Sequence, residues 1–116
     1  MHETSLIEYT FDAVKKRAEV FQVTKVKEIG LVIGRIAAVP VLLETAFDVM
    51  KRSRPMFQDT KLVIDFREIR YQCNECGKIV ETDSFQQICC PECKSNNLTR
   101  IGGDELFIDY FLPTDS

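Results

Sequence analysis

Near the start of the chain, Ile7, Phe11, Val14, Ala18 and Phe21 recur at alternating spacings of four and three, which makes one apolar stripe. Lys15, Lys16, Arg17 and Glu19 fall largely off that stripe. Ser5 begins S-L-I-E, a capping box with Glu8, so a first helix is predicted to start there, with His2 and Glu3 in a short arm ahead of it. The period then changes. From Val23 to Gly34 the chain is β-branched and alternates at Ile29, Leu31 and Ile33, which predicts a strand. Pro40 suits the first turn of a second helix. Val39, Leu43, Ala46 and Met50, flanked by Leu42, Phe47 and Val49, predict a broad buried face for it. It is expected to end before Pro55, with K-R-S-R in its last turn, where cations meet the negative end of the helix dipole. Lys61 to Arg70 alternates again, Leu62, Ile64 and Phe66 against Val63, Asp65 and Arg67, and Glu105 to Leu112 restores strand character.

Between these last two strands the pattern fails. From Tyr71 to about Gly103 the chain is polar, rich in cysteine and short of aliphatic residues. The predicted fold is α+β: two helices with a three-stranded sheet, plus a small zinc-ribbon-like insert before the last strand. Residues 1–70 and 104–116 would form one domain and 71–103 the insert.

The insert carries Q-C-N-E-C-G and C-C-P-E-C. Cys73, Cys76, Cys90 and Cys93 make two C-x2-C knuckles thirteen residues apart. Two intervening residues let both thiolates of a knuckle reach one cation, and two knuckles complete a tetrahedron. Four soft donors with no open position favour a structural Zn(II); a disulfide or an iron–sulfur cluster is the minor alternative. Gly77 suits the left-handed turn after the first knuckle. Cys89, beside Cys90, would pair with Cys93 only at three-residue spacing, so Cys90 is the better ligand and Cys89 a bystander.

Overall composition narrows the function classes. The 116 residues are 45% hydrophobic and 28% charged, an ordinary globular balance, with a net charge of −3. Mixed charges without a basic stripe argue against nucleic acid or an anionic membrane as partner. The first nine residues do not read as a signal peptide, and I-A-A-V-P-V-L-L is too short to span a bilayer, so the cytoplasm is expected. Clustered cysteines there read as metal ligands before disulfides. No nucleophile–base set, phosphate-cradling loop or open zinc site with histidine is visible, so an enzyme is not expected.

The single histidine is the second residue. In Met1–His2 the terminal amine and the His2 backbone nitrogen close one chelate ring, and that nitrogen and the imidazole close the next. Ordinary pKa values of about 7.7–8.0 for the amine and 6.5 for imidazole leave both able to donate near neutrality. A cation able to displace the amide proton, chiefly Ni(II) or Cu(II), gains three nitrogens from two residues, with Glu3 or a partner to complete the set. On chemistry alone, a frayed second residue with no role is the commoner case.

M-H-E leading into an amphipathic helix, a strand ending in I-G, a V-P helix with L-x-x-A-F, then C-x2-C and C-P-x-C: this order resembles the HypA/HybF family, the nickel-insertion accessory proteins of nickel–iron hydrogenase maturation. The resemblance implies a metallochaperone carrying Ni(II) on His2 with Met1 and Glu3, and structural Zn(II) on Cys73, Cys76, Cys90 and Cys93. It also implies a HypB-type GTPase and the hydrogenase large subunit as partners. Arg35 departs from the acidic residue the family frequently has after Gly34. The rival readings are a zinc-ribbon module binding nucleic acid or a protein complex, supported by Lys78, Lys94 and Arg100, and a cysteine redox switch.

Overall fold

The computed structural model describes residues 2–84 and 88–114. Helix α1 spans Glu3–Val20, β1 Val26–Gly34, α2 Pro40–Met50, β2 Lys61–Arg67, β3 Ile69–Cys73, β4 Ile79–Thr82, β5 Leu98–Gly102 and β6 Leu106–Pro113. Two three-stranded sheets result, ordered β2-β1-β6 and β4-β3-β5. In the first, β1 runs parallel to β2, with α2 in the crossover, and antiparallel to β6. The second is antiparallel throughout.

The apolar stripe of α1 does what its spacing predicts: Ile7, Phe11, Val14 and Ala18 are buried. They meet Ile29, Leu31 and Ile33 of β1, with Leu43 and Phe47 of α2. At the centre, Phe11 stacks on Phe47 with ring centroids 5.2 Å apart and meets Phe57 in a tilted contact at 4.6 Å. Phe57 lies in a short 3-10 turn, Pro55–Phe57, that no periodicity announced. Buried hydroxyls are matched to carbonyls: Thr10 donates to Leu6 O at 2.9 Å and Thr60 to Val26 O at 2.6 Å.

Three expectations need correction. The first helix begins at Glu3, with His2 at its N-cap, and Ser5 makes no capping bond. The Leu6 N–H donates to the His2 carbonyl at 3.0 Å, so the histidine belongs to the helix end rather than to a loose arm. A carboxylate at Glu3 is favoured by the positive end of the dipole, and the N-cap lies at His2, three residues ahead of the Ser5 the capping box suggests. On α2 only Leu43 and Phe47 are fully buried, while Val39, Leu42 and Val49 stand about half exposed. The strand expected from Lys61 to Arg70 breaks at Glu68, and its last part, β3, enters the other sheet.

That break is where the two sheets join. Gly34 N–H donates to Glu105 O at 2.7 Å and Ile36 N–H to Gly103 O at 2.8 Å. A Cβ on Gly34 would collide with the Gly103 carbonyl. Gly103 has φ +108°, and a Cβ there would lie 2.7 Å from Ile69 Cα, so glycine is required on both counts. Arg35 grips Glu68 with two nitrogens at 2.7 and 3.0 Å and lies over the Phe66 ring. Arg70 pairs with Glu105 at 3.0 Å. The molecule is long, 56 × 24 × 18 Å, and its radius of gyration is 17.9 Å. A compact globule of this length would show about 13 Å.

Candidate metal centre

Each cysteine knuckle is built by its own backbone. Cys73 ends β3; its N–H donates to Lys78 O at 2.8 Å, and Gly77 N–H returns to Cys73 O at 2.9 Å. In the second knuckle Cys90 N–H donates to Ser95 O at 2.8 Å, and Lys94 N–H returns to Cys90 O at 2.9 Å. The two turns are alike, and both need a left-handed residue at the same place: Gly77 at φ +82° and Lys94 at φ +66°. Asn74 and Asn97 tie the knuckles together through backbone and side-chain bonds, both 2.9 Å. Nothing in the sequence marked that asparagine pair.

The sulfurs of Cys73, Cys76, Cys90 and Cys93 all lie within 4.8 Å of one another. Cys73 and Cys93 are 3.5 Å apart, as are Cys76 and Cys90. A tetrahedral Zn(II) with bonds of about 2.3 Å separates its sulfurs by about 3.8 Å, so the cluster fits that ion with little adjustment. Electrostatics point the same way. The Cys76 N–H is directed at the Cys73 sulfur and holds that thiol down at about 7. The Cys93 N–H likewise lowers Cys90. At Cys93 the Ser95 N–H favours the thiolate, but the neighbouring Cys73 sulfur and burial outweigh it and push the thiol up to about 12. One thiol of each knuckle ionises readily and its neighbours then resist; a divalent cation removes that conflict. Cys90 is fully buried in the group, and Cys89 is exposed outside it.

At the N-terminal end of α1, His2 Nδ1 stands 3.7 Å from the Glu3 carboxylate and 3.5 Å from the Thr4 hydroxyl, with the His2 side chain 77% exposed. Met1 lies outside the described residues. Leu6 faces Leu106 and Phe107, which puts the start of α1 beside the start of β6, the end from which the cysteine-bearing sheet departs. Among the described residues no second group of three or more potential metal ligands occurs.

A family profile described as hydrogenase/urease nickel incorporation, metallochaperone, HypA matches residues 1–112. The chain belongs to the HypA family. Hydrogenase maturation factor HypA of Moorella thermoacetica is 31% identical over 112 residues, covering 96% of this chain and 97% of its own. That of Rhodobacter capsulatus is 37% identical over 109 residues, covering 93% and 95%. The solution structure of the nickel metallochaperone HypA from Helicobacter pylori superposes over the whole of both chains with TM-score 0.65 at 20% identity. A second HypA solution structure gives 0.69 at 22%, covering 98% and 97%; both likenesses bear on fold alone. As a HypA-family member the chain is a nickel metallochaperone of hydrogenase maturation, and its four-cysteine group suits structural Zn(II). Hydrogenase-related proteins are its partners. No helix among the described residues is long and apolar enough to cross a membrane.

Proposed function

We propose that Ni(II) is loaded on the Met1 amine, the His2 backbone nitrogen and imidazole, and the Glu3 carboxylate, while Cys73, Cys76, Cys90 and Cys93 keep a resident Zn(II). The observation that carries this reading is the position of His2 at the N-cap of α1, with Nδ1 facing the Glu3 carboxylate at 3.7 Å. Backbone N–H groups at a helix start have no intrahelical acceptor, so nickel can displace the His2 amide proton without breaking a bond of α1. The positive end of the helix dipole also favours the anionic nitrogen that results.

A donor set built around the exposed His2 can be approached from outside and released one ligand at a time, which is what transfer requires. The protein delivers nickel in the cytoplasm to the hydrogenase large subunit with a HypB-type GTPase, and is not itself an enzyme. Residues 1–70 with 104–116 act as the nickel-bearing unit and 71–103 as the zinc-bearing one.

The test is a Ni(II) titration of untagged protein beside a form with two residues added before Met1. Tight binding lost in the extended form, at unchanged zinc content, is the expected result. Equal binding in both forms would move the nickel elsewhere and overturn the reading. Nickel affinity should also fall as pH drops, because protons compete for the same nitrogens.

A further inference from the structure

A groove between α1 and β6 is used by neither metal site. Leu6, Tyr9 and Thr10 face Leu106, Phe107 and Ile108 across a narrow apolar cleft. Farther along, Ala13, Val14 and Arg17 face Ile108 to Phe111 in a second recess, and Ile108 lines both. Tyr9 is 62% and Phe107 51% exposed in its walls. One wall is also a sheet edge: β6 pairs with β1 on one side, and no strand among the described residues pairs with its other side. Such an edge offers unpaired N–H and C=O groups to an incoming strand. The register slips after Tyr110, leaving Asp109 as a bulge, and Pro113 lacks an N–H, so the open stretch is Leu106–Ile108 beside Tyr9.

We propose that this groove docks an extended, apolar segment of a partner protein, which adds as a strand along Leu106–Ile108 and sets a cationic side chain on Asp109. An extended chain is the occupant that answers free backbone groups while lying flat along the cleft. The cleft has a cavity volume of only about 20 Å³, too little for a helix roughly 10 Å across, and the open recess beyond Ile108, about 500 Å³ and lined by Asp109, is where a side chain has room. Charge selects the cation. Asp109 lies within the electrostatic reach of Arg67 but forms no ion pair among the described residues. Arg17, in the same recess, is drawn over the Phe21 ring at 5.2 Å instead. A second copy is a poor occupant: antiparallel pairing about Phe107 would set Asp109 of each copy opposite Glu105 of the other, like charge against like.

The experiment pans a random peptide library displayed on phage against the zinc-loaded full chain, then maps the enriched peptides, made synthetically, by amide chemical shifts. Expected are sequences alternating apolar residues with at least one Lys or Arg, shifting Leu106–Ile108 and Tyr9. They should bind Asp109→Lys about tenfold or more weakly, and Phe107→Glu likewise. Both positions are exposed, and unchanged zinc content and amide dispersion will show that the variants are folded. No enrichment over Phe107→Glu, enrichment of amphipathic helices, or shifts confined to other surfaces would overturn the proposal. So would the same amides shifting with protein concentration alone, together with a dimer mass, since the occupant would then be a second copy.

Discussion

In the α+β half, Phe11, Phe47 and Phe57 meet ring to ring at the centre of a core that draws on both helices and all three strands. In the cysteine-bearing sheet, β3 to β5 with its knuckles, Ile69, Cys73 and Cys90 are the hydrophobic residues that reach full burial among those described, and two of the three belong to the metal group. The first is held by removal of apolar surface from water and the second by its ligand sphere. A small sheet with so little to bury needs such a staple. One chain can thus let its halves fail separately, each to its own insult.

The largest expected effect comes from stripping the zinc. Structural zinc contributes on the order of 10–16 kcal/mol in small modules, so a chelator should collapse β3 to β5 while α1, α2 and their sheet persist. Amide exchange read residue by residue checks this, and uniform loss of protection across the chain would break the comparison. Phe11→Ala is the complementary insult. It should cost about 3–5 kcal/mol in the α+β half, measured by denaturant unfolding, and leave zinc content unchanged.

The junction comes next. Gly34→Ala forces a Cβ into the Gly103 carbonyl and should destabilise by about 1–3 kcal/mol, with amide shifts spreading into both sheets. Shifts confined to β1 would show the two halves to be less tightly joined than Arg35–Glu68 and Arg70–Glu105 imply.

Smaller still is a pH effect. The guanidinium of Arg35 bonds Glu68 and holds its carboxyl below the ordinary 4.5. The pair therefore contributes stability that is fully present above the unfolded value and lost as pH falls through the lower folded one. Carbon-detected titration should place the Glu68 midpoint below 4.5, and Arg35→Ala should raise it toward that value. The smallest effect is Lys94→Gly, which relieves a left-handed lysine at φ +66° and should stabilise the zinc half by up to about 1 kcal/mol.

How much could be read beforehand follows from where information sits in the chain. The stripe from Ile7 to Ala18 and the alternation in β1 are local, and both became the core. The four cysteines at paired spacing are local too, and the structure draws them together. Arg35 and Glu68 meet because β1 and β2 run parallel with Gly34 beside Arg67, a register no single strand encodes. Asn74 and Asn97 are likewise joined only once the knuckles are closed. The break at Glu68 is marked only by a change of phase, from Leu62, Ile64 and Phe66 to Ile69, Tyr71 and Cys73, which a reading of one continuous strand runs across. The over-apolar α2 was misread because periodicity reports which residues are hydrophobic, not whether this chain covers Leu42 and Val49.

The division of labour we propose, zinc in a closed cage and nickel on the His2 end of α1, is tested most directly by loading the protein with both metals. A small chelator is then added, and each metal is followed as it leaves. Nickel should depart first and completely, with zinc and the protected amides of β3 to β5 still in place. Zinc leaving together with nickel, or ahead of it, would contradict the account.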